Sequence, residues 1–398
     1  MPVETVKGFR DVLPPESLKR QKIKKIIEKN FSSFGFVPIE TPTIEYEEVA
    51  RGDNEKDSAV SDRFRLTDRG NRELSLRYEF TFQLKRIFKE NPNIKLPFRR
   101  YQMGYVFRDE PVEKDRYREF MQCDADILGD SSILADAECL ALANNVCKEL
   151  KINYKLLVNN RKLFNSILKK LEITNITDVS REIDKISKIG EDAVKSELIR
   201  YLDKSQVFEL FKLLQKDLAY FVNEKFEGAE EILELMTLCK SYGITAIFSP
   251  SLMRGLSYYT GNIFEAFCEE IKGTIFAGGR FDNLVGKYIN RQIPAVGISL
   301  GRILDYPKVE ADYVKCVLIS IGQNKKTIEL MNKLREKEVS CFMMDKVSKA
   351  LEFANSNSVP YVVFVGEDEV KKKKFKLRDM KTGKESLISE TGIIKKLR

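Results

Sequence analysis

Residues 97–129 constrain the fold most, because PFRRYQMGYVFRDEPVEKDRYREFMQCDADILG predicts two strands joined by an exposed charged loop. The first strand is expected to end at Arg108, with the loop over residues 109–116. Successive side chains of a strand point to opposite faces. That alternation places Gln122 and Asp126 with Arg108 on one concave sheet surface. We interpret this surface as a functional site; the alternative is a basic hairpin with solvated side chains.

A second polar and aromatic stretch, RGLSYYTGNIFEAF, covers residues 254–267 and opens a strand-like run. Arg254 is expected to be a cleft arginine that nothing nearby neutralises. On a strand, Tyr258 and Tyr259 would point to opposite faces, so that one lines the cleft and the other packs beneath it. The alternative is an edge strand with a solvated arginine and two half-buried tyrosines.

The composition excludes several chemistries. The 398-residue chain contains no histidine, which removes Ser-His-Asp and Cys-His catalysis and zinc hydrolysis. Its seven cysteines have no CxxC spacing, so no metal site or disulfide framework is expected, and reduced thiols favour a cytoplasmic protein. We find neither a signal peptide nor a membrane span in the sequence. The net charge of +8 suits a polyanionic partner, although ordinary solubility charge would explain it equally well.

The N-terminal region predicts a helix, a bent strand and a hairpin. Apolar residues recur at helical spacing from Leu18 to Phe31, and Gly35 is expected to end the helix. Prolines in the following FVPIETPTIEYEEVA, among them Pro42, restrict it to an edge or interface strand. Residues 62–81 alternate around the turn DRGN, which predicts a hairpin whose second strand ends in LRYEFT.

The rest of the chain changes pattern twice. Residues from about 163 to 243 are helical in pattern and rich in Lys, Glu and Leu. A composition shift near residues 307–312 predicts a linker, and beyond it strands and helices alternate as in a small α/β domain. The lysine run at residues 371–374 would face RNA phosphates or form a solvated turn.

Taken in order, these motifs resemble those of histidyl-tRNA synthetases, which are class II enzymes. FRDEP…RYREF is similar to the second class II motif, LRYEFT to the family's LR(P or Y)(E or D)xT, and RGLSYYTG to its histidine-specific signature. The chain departs from the family at Ser257, usually aspartate, and at Phe281, usually tyrosine. In the apparent third motif, a glycine-rich strand running into a helix, Gly297 and Gly301 are followed at once by Arg302.

The resemblance implies an α+β fold. Residues 1–310 would form the antiparallel-sheet catalytic domain of class II synthetases, with a helical insertion at about 163–243. Residues 311–398 would form a small α/β anticodon-binding domain. Pro42 resembles the proline that ends the first class II motif at the dimer interface, so the resemblance also implies a homodimer.

The same resemblance implies ATP-dependent activation of L-histidine and its transfer to tRNA(His) through histidyl-adenylate, with Mg²⁺ bound to ATP. The loop at 109–116 would meet the tRNA acceptor end. Arg108 and Arg254 would act as the catalytic pair on the α-phosphate. The residues that would bind ATP are Arg108 at the α-phosphate, Glu110 and Phe120 at adenine, and Arg302 at the γ-phosphate. The residues that would bind histidine are Glu79, Thr81, Gln122, Asp126, Tyr258 and Tyr259.

An alternative from another functional class is a catalytically inactive paralogue of these synthetases, a kind of protein that regulates histidine biosynthesis or senses uncharged tRNA. Ser257 and the short spacing before Arg302 favour that alternative. The intact Arg108 and Arg254 and the presence of a C-terminal domain argue for the enzyme.

Overall fold

The computed structural model describes residues 3–51, 62–112, 116–255 and 257–398. The chain divides into two compact units. The first contains residues up to Asp11 together with Ile23–Pro307, and the second contains Val12–Lys22 together with Lys308–Arg398. Within the described residues, no helix is both long and apolar enough to cross a membrane.

The first unit is built on an eight-stranded sheet and a separate three-stranded sheet. Its strands are β1 (Val37–Pro38), β2 (Ile44–Tyr46), β3 (Arg65–Thr67), β4 (Glu73–Leu76), β5 (Phe98–Phe107), β6 (Glu119–Leu128), β7 (Lys155–Asn160), β8 (Ala246–Phe248), β9 (Asn262–Phe267), β10 (Thr274–Arg280) and β11 (Ala295–Ser299). The larger sheet has the order β1-β5-β6-β11-β10-β9-β7-β8, and the smaller has the order β2-β4-β3. Only the outermost pairs of the larger sheet, β1 with β5 and β7 with β8, are parallel.

The β5–β6 hairpin confirms the strand–loop–strand prediction. Its register pairs Arg100 with Asp126 and Gly104 with Gln122. On the opposite face of β6, Cys123 and Ala125 are fully buried, because the sheet is covered there. A two-faced burial of this kind is typical of the centre of a sheet.

The predicted β3–β4 hairpin is also confirmed, and its turn has a local cause. The Asp68 carboxylate accepts hydrogen bonds from the Gly70 and Arg72 N–H groups at 2.9 and 3.0 Å. The prediction that the second strand ends in LRYEFT is wrong, since β4 stops at Leu76. Glu79 therefore lies beyond the strand, in the irregular segment that leads to the next helix.

The helices of the first unit follow from local patterns. Within the described residues up to Pro307, the helices are α1 (Glu16–Ser33), α2 (Glu47–Ala50), α3 (Leu84–Glu90), α4 (Ile133–Leu150), α5 (Arg161–Lys170), α6 (Ile176–Ile183), α7 (Ile186–Ile189), α8 (Glu191–Leu198), α9 (Lys204–Leu214), α10 (Leu218–Asn223) and α11 (Ala229–Ser241). The residues of α1 up to Lys22 belong to the second unit. In α1, Ile23, Ile27 and Phe31 are fully buried on one face, and Gly35 has a φ of +75° just after the helix ends, as predicted. Helices α5 to α11 form the segment between β7 and β8.

The second unit has a five-stranded sheet covered on both faces. Val317 and Leu318, neighbours on one strand, belong to different hydrophobic clusters because they point to opposite faces. Its elements are β12 (Cys316–Ser320), α12 (Asn324–Glu336), β13 (Cys341–Met344), α13 (Val347–Ser356), β14 (Tyr361–Val365), α14 (Glu367–Lys372), β15 (Lys374–Asp379), β16 (Glu385–Ser389) and α15 (Glu390–Leu397). The strand order is β13-β12-β14-β15-β16. Strand β12 is parallel to both β13 and β14, whereas β15 is antiparallel to both β14 and β16. The predicted α+β class is confirmed.

Candidate functional site

An open cavity lies against the central sheet of the first unit. Strands β6, β10 and β11 contribute to it, together with the segments around Glu79 and Tyr258. It contains these residues predicted for the site: Glu79, Thr81, Arg108, Gln122, Asp126, Arg254, Tyr258 and Tyr259. The predicted ATP residues Glu110, Phe120 and Arg302 do not line it.

Two glycines keep the floor of the cavity open. A Cβ at Gly297 would lie 1.7 Å from Asp126 Oδ1, and a Cβ at Gly278 would lie 2.0 Å from the Gly297 oxygen. Both contacts are far below van der Waals separation, so no larger residue fits while the strands keep their spacing. The backbone itself therefore leaves the Asp126 carboxylate accessible from the cavity.

Glu79 is a buried carboxylate fixed by its own chain. The Thr81 N–H donates to Glu79 Oε1 at 2.9 Å, and the Phe82 N–H donates to the same oxygen. Burial raises the pKa of Glu79, and the hydrogen bonds from Thr81 and Phe82 oppose that rise. The result is an immobile acceptor suited to a cationic ligand group.

Asp126 pairs with Arg100, a fully buried residue directly across the β5–β6 register. The same guanidinium donates to the Phe80 carbonyl at 3.1 Å. Burial raises the pKa of Asp126 to about 7, with smaller contributions from Asp124 and Glu79, while Arg100 opposes the shift. Three carboxyl groups, those of Glu79, Asp124 and Asp126, line the cavity. A ligand that donates hydrogen bonds or carries positive charge would stabilise their ionised forms.

The Arg108 guanidinium packs against two aromatic rings. Its guanidinium carbon is 4.3 Å from the Tyr78 ring centroid and 5.0 Å from that of Phe120. Its Nη2 donates to Gln122 Oε1 at 3.2 Å. Phe120, predicted to stack on adenine, packs on the arginine.

The prediction that nothing neutralises Arg254 is wrong. Its Nη1 lies 3.1 Å from Glu265 Oε1, and the Thr274 hydroxyl donates to the same carboxylate. The partner is eleven residues away in sequence and reaches Arg254 because the chain folds back through β9. Burial alone would lower the pKa of Arg254, but Glu265 and Tyr259 outweigh that effect and raise it. Arg254 is therefore a fixed positive charge.

The prediction that Tyr258 and Tyr259 point to opposite faces is also wrong. Both lie in the irregular segment before β9, which begins at Asn262, so strand alternation does not apply. Their ring centroids are 4.7 Å apart, and both line the cavity. Tyr258 also makes edge contacts with Phe82 and Phe281 at 5.8 and 5.6 Å. The edge-strand alternative fails too, since β9 lies between β10 and β7.

Glu110 lies at the base of the charged loop, outside the cavity. Its carboxylate pairs with Arg116, which is half exposed, and its carbonyl accepts from Arg118 Nε at 2.9 Å. Residues 113–115 of the predicted loop lie outside the described residues.

Arg302 begins a single 3₁₀ turn, Arg302–Asp305, just after β11. The regular helix predicted there is wrong, because Tyr306 is extended and precedes Pro307, and a residue before proline disfavours the α conformation. Among the described residues, Arg302 has no hydrogen-bond or ion-pair partner. Its Nη1 would lie 3.7 Å from a Cβ at Gly273, in the turn between β9 and β10.

Sequence reasoning missed four residues of the site. Asp124 is two residues from Gln122 on the same strand, so strand alternation could have placed it on the same face. The other three are brought in by distant pairing and carried no local signal: Arg100, Glu265 and Ser299.

Comparisons with known proteins agree with this geometry. A family model described as histidyl-tRNA synthetase matches residues 8–302, and one described as anticodon binding domain matches residues 315–398. A protein named histidine--tRNA ligase 1 from Bacillus cereus is 35% identical over 413 aligned residues, which cover 97% of each chain. A histidine--tRNA ligase from Clostridium tetani is 34% identical over 98% of this chain and 96% of its own. The crystal structure of histidyl-tRNA synthetase from Nostoc sp. PCC 7120 superposes with a TM-score of 0.86 at 25% identity, covering 100% of this chain and 99% of that one.

Proposed function

The chain belongs to the histidyl-tRNA synthetase family, and from this premise we propose how its cavity carries out the reaction. The function is the ATP-dependent activation of histidine and its attachment to tRNA. The observation that carries the mechanism is one cavity with three carboxyl groups facing two arginines, Arg108 and Arg254. No comparison favours the alternative of an inactive regulatory paralogue.

We assign the carboxyl side of the cavity to histidine. Glu79 and Thr81 would bind the α-ammonium group, since the Glu79 carboxylate is already fixed by backbone N–H groups. Asp126 and the hydroxyl group of Tyr259 would form hydrogen bonds with the imidazole nitrogens. Tyr258 packs against Tyr259 and would close the pocket wall. A buried polar pocket of this kind rejects amino acids that leave its groups unpaired.

We assign the arginine side to ATP. The histidine carboxylate would attack the α-phosphorus while pyrophosphate leaves, a step that needs no protein base. Arg108, held by Gln122, and Arg254 would neutralise the charge that develops on the α-phosphate. The adenylate would then pass to the terminal ribose of tRNA.

The remaining ATP contacts require side chains to move. Glu110 would accept a hydrogen bond from the adenine amino group after Arg116 leaves its carboxylate. Phe120 would stack on the base, and Arg302, free of partners among the described residues, would reach the γ-phosphate. Magnesium would enter with ATP as part of the substrate.

We further propose a homodimer that acts in the cytoplasm on tRNA(His). Near Pro42, Val37, Ile44 and Tyr46 are each about half exposed, at 48%, 47% and 49%, and an interface along β1 and β2 would cover them. The catalytic domain would cover residues 1–310, and residues 311–398 would bind the anticodon.

Charging of tRNA tests this function. The purified protein with labelled histidine, MgATP and tRNA should produce acid-precipitable histidyl-tRNA and one AMP for each histidine attached. Arg108→Ala serves as the matched inactive control. Absence of histidyl-tRNA with active tRNA(His) present would refute the proposal.

A further inference from the structure

Asp124 is the third carboxyl group of the cavity, and it contacts neither histidine nor ATP in the mechanism above. It is 5% exposed and lies on β6, two residues from Gln122. Gln122 Nε2 donates to Asp124 Oδ2 at 3.0 Å and lies 3.2 Å from Oδ1. The Ser299 hydroxyl, opposite Asp124 on β11, accepts from the same nitrogen at 3.3 Å.

These contacts determine which way the Gln122 amide faces. The NH₂ group of an amide can only donate hydrogen bonds, so it needs acceptor oxygens, and Asp124 and Ser299 supply them. With the NH₂ group directed at Asp124, the Oε1 atom faces Arg108 and accepts from Nη2 at 3.2 Å. If the amide were rotated by 180°, its NH₂ group would face the N–H groups of Arg108, and its oxygen would face the carboxylate oxygens of Asp124. Neither pair could form a hydrogen bond.

We propose that Asp124 is a positioning residue for histidine activation: it holds the Gln122 amide in the orientation that directs Arg108 at the α-phosphate of ATP. This inference rests on the proposed function. The Arg108 guanidinium packs against the rings of Tyr78 and Phe120, which limit where it can move. The hydrogen bond to the Gln122 oxygen restricts its direction further.

Ser299 assists in the same task from the neighbouring strand. Burial raises the pKa of Asp124, and hydrogen bonding with Ser299 together with the charge of Arg100 opposes the rise, which keeps the acceptor available to Gln122. Ser299 is also three residues before Arg302, so the same strand that supports Asp124 leads to the proposed γ-phosphate arginine.

A double-mutant cycle on histidine-dependent ATP–pyrophosphate exchange tests the inference. Asp124→Ala should lower kcat about 10- to 100-fold, the loss usual for a hydrogen bond to a charged group, with a smaller change in the KM for histidine. In a Gln122→Ala background, Asp124→Ala should cost no more than about twofold, because Asp124 acts through Gln122. Multiplicative losses in the double variant would overturn the proposal.

Conservative variants separate positioning from direct substrate contact. Asp124→Asn keeps an acceptor oxygen for Gln122 and should retain most of the activity that Asp124→Ala loses. If Asp124→Asn with unchanged thermal unfolding is as impaired as Asp124→Ala, the carboxylate charge contacts substrate and the proposal is wrong. Ser299→Ala provides the same test should Asp124→Ala fail to fold. It should lower kcat about two- to tenfold, the loss of one neutral hydrogen bond, and unchanged kcat would count against the inference.

Glu119→Gln is the matched control, since it removes a carboxylate from the same strand at a position of opposite parity. It should leave exchange unchanged. A wild-type protein without histidine-dependent exchange would refute the proposed function itself, whereas multiplicative losses in an active enzyme would refute only the role of Asp124.

Discussion

Replacing Arg254 with alanine should slow histidine activation about 10²- to 10³-fold, or about 2.7–4 kcal/mol, the usual cost of removing one preorganised donor to a transition state. Arg254 is preorganised because Nη1 lies 3.1 Å from Glu265 Oε1 and only about a quarter of the side chain, 26%, is exposed. The loss should appear in kcat rather than in the KM for histidine, since the carboxyl groups assigned to histidine remain.

Histidine-dependent ATP–pyrophosphate exchange measures this loss. Glu265→Gln is the matched control: it removes the ion-pair partner and keeps the arginine, so its activity should stay within about tenfold of wild type. Thermal unfolding of both variants shows whether the fold survives. Near-normal exchange by Arg254→Ala, or equal losses in the two variants, would refute a direct role for Arg254 and leave it a structural ion pair.

Three further predictions follow from the site. Asp126→Ala should raise the KM for histidine far more than that for ATP, and equal effects would assign Asp126 to the scaffold. Arg302→Ala should raise the KM for ATP about tenfold, some 1.4 kcal/mol, with little change for histidine; an unchanged value in an active enzyme would place the triphosphate elsewhere. Because burial raises the pKa of Asp126 from 3.8 to about 7, the folded protein binds the extra proton and its stability falls as pH rises from about 4 to 7. Asp126→Asn should remove up to about 4 kcal/mol of that fall in denaturant titrations, and parallel pH curves would contradict the shift.

The parts of the fold with strong local patterns were predictable. The β5–β6 hairpin is marked by two long alternating runs around a charged loop, and the β3–β4 turn by an aspartate that bonds its own backbone. Strand alternation alone placed Gln122 and Asp126 on one face, because both lie on β6 and are an even number of residues apart.

The errors have two physical causes: contacts between parts of the chain that are far apart in sequence, and strand or helix boundaries that differ from those the pattern indicated. Glu265 reaches Arg254 only after the chain folds back, and Tyr258 and Tyr259 lie side by side because the strand begins later than the pattern indicated. Likewise, nothing in the sequence of Val12–Lys22 indicated that it groups with the C-terminal unit. Polar pairing across a sheet leaves no periodicity to detect.

The most direct test of the account is ATP–pyrophosphate exchange with each of the twenty amino acids in turn, without tRNA. We expect exchange that depends on histidine and on MgATP, that is lost in Arg108→Ala, and that glutamine and asparagine do not support. Exchange with another amino acid in preference to histidine, or none with histidine at saturating ATP, would contradict the assignment of this cavity to histidine activation.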